Sequence, residues 1–139
     1  MSAEQPAYGW GPHERRLSST ECRAWVSSHR EGRLGYLSGR GPRSVVVSYA
    51  VAGDSIVLEL PDYNDAAHYA PGTRVHLDVE GPTVTRRDAV RVTGTAVLAD
   101  QTQAADVAAE LAHEWPADIR TSVICLPLQE VEGVEEGLS

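Results

Sequence analysis

The segment RLGYLSGRGPRSVVVSYAVAGDSIVLEL, residues 33–60, contains the pattern from which the fold of this protein is predicted. Its apolar and β-branched residues form three runs that are typical of β-strands, at residues 33–38, 43–51 and 55–60. The glycine-containing connections between the runs, GRGP and AGD, are tight-turn sequences. Connections this short join antiparallel strands, because a parallel crossover needs about a dozen residues or more. The middle run is rich in valine, so we expect a central strand that is buried on both faces.

Three further strands are predicted towards the C-terminus. Residues 73–80 alternate between valine or leucine and polar side chains, and residues 89–98 repeat this alternation. Residues 120–128 form the last predicted strand. The sequence therefore predicts a mainly β fold with six antiparallel strands. We expect the sheet to close as a barrel, because closure removes the exposed edges of the outer strands.

Two short helices accompany these strands. Ser18 and Glu21 form an S-x-x-E capping box, so the first helix begins there and ends near Gly32. A second helix is predicted over residues 100–116, where a proline ends it. Between the third and fourth strands, residues 61–72 form a polar loop with a single helical turn.

The two ends of the chain are predicted to lie outside the barrel. Residues 1–17 read as a flexible arm, and residues 129–139 as a short acidic tail of the domain that spans residues 18–139. A chain of 139 residues is within the usual range of one domain. Cys22 and Cys125 are expected to be separate thiols, because the N-terminal residues do not resemble an export signal.

The charge and hydropathy of the chain limit the classes of partner and the cell compartment that we expect for it. A net charge of −8 argues against nucleic acid and anionic membranes as partners, since both require clustered positive charge. No apolar run approaches the roughly 20 residues that span a bilayer. Together with the absent export signal, these observations predict a cytoplasmic protein. All 12 basic residues are arginine, so no lysine is present to form a Schiff base.

The loop at residues 61–72 carries the side chains with the most evident chemistry. Tyr63 and His68 are the candidate catalytic residues, since a histidine at a pocket edge is able to bind an anion or transfer a proton. The alternative is a polar loop whose aromatic side chains pack on the barrel.

No metal site is predicted. His76 and Asp78 share one face of a strand, but no third ligand has a definite spacing from them. The pair His113-Glu114 lacks the second histidine of a zinc-binding helix. Arg91, which follows two arginines of the preceding loop, is a candidate for binding a phosphate, or it balances an acidic surface.

Four segments in order resemble the pyridoxamine 5′-phosphate oxidase-like family of flavin-binding split barrels. RLGYL at residues 33–37 is similar to the family's GRLA strand. PRSVVVSY at residues 42–49, followed by Gly-Asp, is similar to its P-x-V-x-P-V-x-Y hairpin. RVHLDVE at residues 74–80 and VRVTGTA at residues 90–96 are similar to its next two strands. The resemblance runs from Ser18 to about Gly133.

This resemblance implies a six-stranded antiparallel split barrel of Greek-key type with two helices, assembled as a homodimer. It also implies a flavoprotein oxidoreductase that acts on a small organic molecule with a cofactor between the subunits. FMN is the usual cofactor of the family, some members use the deazaflavin F420, and a few bind haem. The flavin carries the hydride chemistry, and the protein orients it.

The resemblance further implies which residues contact the cofactor. Residues 45–49, in the first strand of this hairpin, have a backbone that borders the flavin ring in the family. The candidate cofactor-binding residues are accordingly Val45, Val46, Val47, Ser48, Tyr49, Asn64 and Arg91.

One departure from the family leaves a second function open. The family holds the flavin phosphate with an R-T-x-x-G-S-K run after the third strand, where this chain has LPDYNDAAH at residues 60–68. Two aspartates replace the cations and would repel a phosphate. The alternative is a split barrel that has lost its flavin and catalyses a non-redox step, such as a cyclisation or isomerisation, or that binds a small molecule. A third hypothesis is a dimeric binding or regulatory module without catalysis.

Overall fold

The computed structural model describes residues 12–81, 89–100, 102, 116 and 118–138. Two helices lie within this part of the chain, α1 (Ser19–Ser28) and α2 (Asp65–Tyr69). The strands are β1 (Pro12–Arg16), β2 (Glu31–Ser38), β3 (Gly41–Ala52), β4 (Ser55–Pro61), β5 (Arg74–Glu80), β6 (Ala89–Thr95), β7 (Val97–Leu98), β8 (Thr121–Pro127) and β9 (Glu130–Leu138). The second helix predicted from the sequence, at residues 100–116, lies outside the described residues.

The strands form one antiparallel sheet that curves into a half-barrel. Its order is β1-β9-β6-β5-β2-β3-β4-β8-β7. β6 continues through Ala96 into β7. Although the two strands are consecutive in the chain, β6 pairs with β9 near one end of the sheet and β7 pairs with β8 at the other end. The predicted antiparallel, mainly β architecture is confirmed.

The predicted number of six strands is wrong. Nine strands are described, of which eight have at least five residues and β7 has two. The additional strands come from a break in the segment 89–98 at Ala96 and from both chain ends. Pro12–Arg16, within the predicted arm, pairs with Glu130–Leu138, within the predicted acidic tail. The sequence analysis missed these two strands because they are rich in charged residues and show no clear alternation of apolar and polar side chains.

The middle strand of the opening segment is central but is not buried on both faces. β3 lies between β2 and β4. Val47 and Tyr49 are buried, whereas Ser44 is exposed and Val46 is 51% exposed. The expectation of two buried faces is therefore wrong, because an antiparallel sheet commonly packs only one face on the core.

The inner face of the sheet forms the core with helix α1. Fully buried side chains from five strands meet there, among them Leu34, Ile56, Leu58, Leu77, Val79, Val90, Val92, Ile124 and Leu126. The capping box of α1 is confirmed, since Ser18 and Glu21 bond reciprocally, but the helix ends at Ser28 rather than near Gly32.

Long-range hydrogen bonds fasten α1 to the sheet. Nε1 of Trp25 donates to the carbonyl of Val79 at 2.9 Å, and the hydroxyl of Tyr49 donates to the carbonyl of Val26. Cys22 is buried and Cys125 half-buried, and both are free thiols, as expected. Burial raises the pKa of each thiol. No helix in the described part of the chain is long and apolar enough to cross a membrane.

Candidate functional site

Strands β3 and β4 separate partway along their length. β3 pairs with β2 along residues 41–48, but it pairs with β4 only along residues 49–52. The last pair is Tyr49 with Leu58. Beyond it, β4 pairs with β8 alone. Among the described residues, no strand therefore pairs with residues 41–48 of β3 on the edge that faces away from β2.

The backbone groups on this uncovered edge follow from the alternation of an antiparallel ladder. The N–H of Tyr49 donates to the carbonyl of Arg30 at 2.9 Å, so it points towards the β2 side. Alternate residues point the opposite way. The N–H and C=O groups of Ser44, Val46 and Ser48 therefore point away from β2. Because Tyr49 and Leu58 form a non-hydrogen-bonded pair, the carbonyl of Ser48 accepts from the N–H of Glu59. We call the other five groups the open edge. An open edge presents an alternating row of donors and acceptors to a ligand.

The five predicted cofactor-lining residues of β3 divide between two faces. The side chain of Val46 is exposed on the outer face of the sheet, and that of Ser48 is half-buried there. Val45, Val47 and Tyr49 pack into or against the core. Burial raises the pKa of the Tyr49 hydroxyl well above its ordinary value, and this hydroxyl is bonded to α1. Only the backbone of these three residues is able to line a site on the edge or the outer face.

Helix α2 packs between β2 and β4, where β3 and β4 diverge. Ala66 and Ala70 are fully buried at its base. Asn64 is the N-cap, and its side-chain oxygen accepts a hydrogen bond from the N–H of Ala66 at 2.9 Å. The oxygen of this predicted cofactor-binding residue therefore stabilises the helix.

Two carboxylates lie around the start of α2. Asp65 accepts a hydrogen bond from the hydroxyl of Tyr36 at 3.4 Å and lies 3.9 Å from Nε of Arg43. Asp62 accepts from the hydroxyl of Ser122 at 2.6 Å. Desolvation, and then the charge of Asp65, raise the pKa of Tyr36. This end of the site is thus acidic, and a doubly charged phosphate does not fit the donors that the loop presents.

The two predicted catalytic side chains lie on the surface of the same loop. Tyr63 is 74% exposed, and His68 is exposed with its ring edge-on to Tyr69 at 4.7 Å. Neither forms a hydrogen bond to another described residue. Their position at the rim of the α2 region is compatible with substrate contact, and their catalytic role stays a prediction.

Arg91 lies on the outer face, within a row of charged side chains. Asp78 lies opposite Arg91 across β5 and β6, and Glu132 lies opposite Arg91 across β6 and β9. Nε and Nη2 of Arg91 donate to both oxygens of Asp78, at 2.7 and 2.9 Å, and these bonds raise the pKa of the guanidinium. His76 lies 3.9 Å from Asp78. The described residues contain no group of three or more potential metal ligands.

The structure adds one residue that the sequence analysis did not select. His29 is the C-cap of α1. Nδ1 of His29 lies 2.7 Å from the carbonyl oxygen of Trp25, and the two rings stack at 4.5 Å. His29 lines two grooves beside β3, together with Arg30. The sequence offered no signal for this placement, because it arises where the end of α1 meets β3.

Comparison with known proteins shows the family of this chain through a family model and its fold through solved structures. The family model for pyridoxamine 5′-phosphate oxidase matches residues 18–135. No curated protein matches the sequence. Among solved structures, the FAD binding protein from Mycobacterium smegmatis has a TM-score of 0.78 at 17% identity, covering 90% of this chain and 100% of that one.

Two other solved structures share the fold at similar identity. A FAD-binding protein from Mesorhizobium loti has a TM-score of 0.69 at 19% identity, covering 91% of this chain and 99% of that one. A heme binding protein from Mycobacterium smegmatis has a TM-score of 0.69 at 20% identity, covering 88% of this chain and 58% of that one. Because the family model matches most of this chain, the chain belongs to the pyridoxamine 5′-phosphate oxidase family and has the split-barrel fold of that family.

Proposed function

We propose that this protein binds a flavin along the open edge of β3 and is an oxidoreductase for a small organic molecule. The observation that carries the proposal is the row of backbone donors and acceptors at Ser44, Val46 and Ser48. A flavin ring has alternating carbonyl, imide and ring-nitrogen groups along one edge, which match such a row. Two solved structures with this fold are FAD-binding proteins, which supports a flavin here.

The chain's own residues would bind and orient the ring. The backbone of the open edge would hold the polar side of the ring, and the exposed Val46 side chain offers an apolar contact. A bound flavin supplies hydride transfer, so the protein needs no nucleophile of its own. Tyr63 and His68 are proposed to contact the substrate from the rim of α2, with His68 able to hold or release a proton.

Direct titration tests this proposal. FMN, FAD and the deazaflavin F420 would each be added to purified protein, and binding followed by visible absorption and flavin fluorescence. We expect saturable binding of FMN or F420 with one site per chain, followed by reduction of the bound cofactor by a substrate or an artificial donor. If none of the three cofactors binds, the proposal is wrong.

The acidic start of α2 favours one alternative. Asp62 and Asp65 occupy the region where relatives with the R-T-x-x-G-S-K run carry cations, and a cleft without phosphate donors suits an uncharged ligand. In that case the protein would bind a small organic molecule and catalyse a non-redox step. Mass spectrometry of ligands that copurify with the protein distinguishes the two functions, since only the first predicts a flavin.

We also propose that the protein is a homodimer whose outer sheet faces pack together. Leu37 and Val46 are 62% and 51% exposed on this face. The row of opposite charges at Arg33, Asp78 and Arg91 offers polar pairing around them. Light scattering during size-exclusion chromatography should give a mass of about twice 15.0 kDa. A mass of one chain would contradict this assembly.

A further inference from the structure

Four charged side chains form a line across the outer face of the sheet. Arg33 lies opposite Asp78 across β2 and β5, Asp78 lies opposite Arg91 across β5 and β6, and Arg91 lies opposite Glu132 across β6 and β9. Residues directly opposite each other in neighbouring strands have their side chains on the same face. The line therefore has the charges positive, negative, positive, negative in order, and we call it the charge row.

The two inner members of the charge row are paired within the chain, and the two outer members are not. Nε and Nη2 of Arg91 donate to both oxygens of Asp78. Arg33 and Glu132 are exposed at the ends of the row. Neither of them forms an ion pair with another residue in the described part of the chain. These two end charges are therefore available to groups of opposite charge on a partner.

An alternating row with an even number of charges is complementary to a second copy of itself. Consider a two-fold axis that runs along the strands, between β5 and β6, and packs two outer faces together. It reverses the order of the row in the second copy, so Arg33 faces the partner's Glu132, and Asp78 faces the partner's Arg91. A two-fold axis along the row would instead place each residue opposite its own copy, and like charges would meet.

The neighbouring row of the outer face is compatible with the same axis. Gly35, His76, Thr93 and Glu130 lie opposite one another in β2, β5, β6 and β9. An axis between β5 and β6 would place Gly35 opposite the partner's Glu130, and His76 opposite the partner's Thr93. No like charges meet in this row. The strands of the two sheets would then be roughly aligned, which is a common arrangement of packed sheets.

We propose that the charge row orients the homodimer, with Arg33 of each protomer bound to the partner's Glu132 around a two-fold axis between β5 and β6. This inference rests on the proposed dimer and adds to it the position of the axis and the residues that meet. Arginine suits this contact, because its guanidinium forms two parallel hydrogen bonds with one carboxylate. The symmetry of the dimer makes each end pair occur twice.

Charge reversal at either end of the row tests this pairing. Arg33→Glu would bring two glutamates together at both end pairs of the dimer, and Glu132→Arg would bring two arginines together there. We expect each change to weaken the homodimer at least about 100-fold, since facing like charges are strongly unfavourable at an interface. Sedimentation equilibrium over a range of protein concentrations measures the dissociation constant.

Mixing the two variants separates pairing between protomers from a general loss of stability. In a heterodimer of Arg33→Glu with Glu132→Arg, both end pairs again join opposite charges. We expect the mixture to form this heterodimer, which native mass spectrometry identifies by its mass. The double variant Arg33→Glu/Glu132→Arg should recover the homodimer for the same reason. Arg40→Glu, in the exposed β2–β3 turn, is the matched control and should leave the dimer unchanged.

Glutamine variants provide the same test if a charge reversal unfolds the chain, as judged by circular dichroism. Homodimers of Arg33→Gln or of Glu132→Gln lack both end pairs, so we expect each to be about 10-fold weaker than the wild-type dimer. The heterodimer of these two variants regains one of the two pairs and should be of intermediate stability. Wild-type affinity in both glutamine variants would contradict the pairing.

Three results of the charge reversals would overturn the inference. If the wild type and both single variants are dimeric, the proposed dimer stands, but the charge row does not lie at its interface. If the single variants dissociate and their mixture forms no heterodimer, Arg33 and Glu132 do not face each other. If the wild-type protein is monomeric, the proposed dimer itself fails, and the inference fails with it.

Discussion

Val46 lies in the middle of the open edge of β3, and its backbone groups point away from β2. Its N–H belongs to the open edge, so replacing it with proline removes one donor from the proposed ring site without removing a bond to β2. We expect Val46→Pro to weaken flavin binding by about 10-fold, the equivalent of one hydrogen bond of about 1.4 kcal/mol. Fluorescence titration measures the affinity.

Val46→Thr is the control for this change, since it keeps the N–H and a β-branched side chain. It also keeps one methyl group for the apolar contact, so it should lose much less flavin affinity than Val46→Pro. Equal affinity in Val46→Pro and wild type, with both proteins folded by circular dichroism, would show that the open edge does not hold the ring.

Position 35 has no room for a side chain, because a residue of the neighbouring strand β5 packs against it. A methyl group added at Gly35 would lie 2.2 Å from Nε2 of His76, which packs directly over the glycine. Gly35→Ala should therefore lower the free energy of unfolding by about 1–3 kcal/mol, the usual cost of overpacking. Urea unfolding measures the change.

The double variant Gly35→Ala/His76→Ala should recover most of this loss, because removal of the imidazole makes room for the methyl group. The coupling between the two sites is read from the double-mutant cycle. Additive effects would show that the cost arises from the backbone of β2 rather than from His76.

At the scale of the element, the N-terminus of α1 carries a pH-dependent stabilisation. The backbone N–H of Ser18 donates a hydrogen bond to the Glu21 carboxylate and lowers its pKa the most. A hydrogen bond from the Arg15 side chain lowers this pKa further. A carboxyl with a lowered folded-state pKa stabilises the fold above its unfolded pKa, and this contribution is lost as pH falls through the folded-state pKa. Glu21 and Ser18 together thus fix where the helix begins.

Glu21→Gln tests this effect, since glutamine retains the capping hydrogen bond and removes the charge. Wild type should be the more stable protein at pH 7, and the difference should shrink as the pH falls below about 4.5, the ordinary value for Glu. Urea unfolding at several pH values between 7 and 3 measures the difference. A difference that grows with acidity would contradict the assignment.

At the scale of the whole molecule, the proposed dimer depends on apolar side chains of the outer face. Leu37 is 62% exposed in the single chain and would be buried in the dimer. Leu37→Asp should shift the assembly to a mass of 15.0 kDa without unfolding it, because burying an unpaired carboxylate is costly. Light scattering over a range of protein concentrations measures the shift.

Leu98→Asp provides a matched control on β7, where the leucine is 53% exposed. The two variants introduce the same charge at positions of similar exposure, but only Leu37 lies on the proposed interface. Dimers of equal stability in both variants would exclude the outer face near Leu37 as the interface.

Sequence reasoning succeeded where a local pattern is sufficient. The capping box at Ser18 and the alternation of residues 73–80 correspond to α1 and β5. It failed for the charged strands β1 and β9, whose pairing is between the two chain ends. For the site, it selected β3 from the family resemblance, but it did not select His29 or Arg30.

The alternation of inward and outward residues along the sequence was sufficient to determine which side chains of β5 and β6 enter the core. The sequence also determined the family, through four strand motifs in order. Tertiary structure alone establishes that β3 pairs with β4 only along residues 49–52, which leaves an exposed edge along residues 44–48. That separation depends on pairing between distant residues, such as Glu59 with Val123. Such pairing is a balance of sheet curvature and packing across the whole domain, which no local pattern encodes.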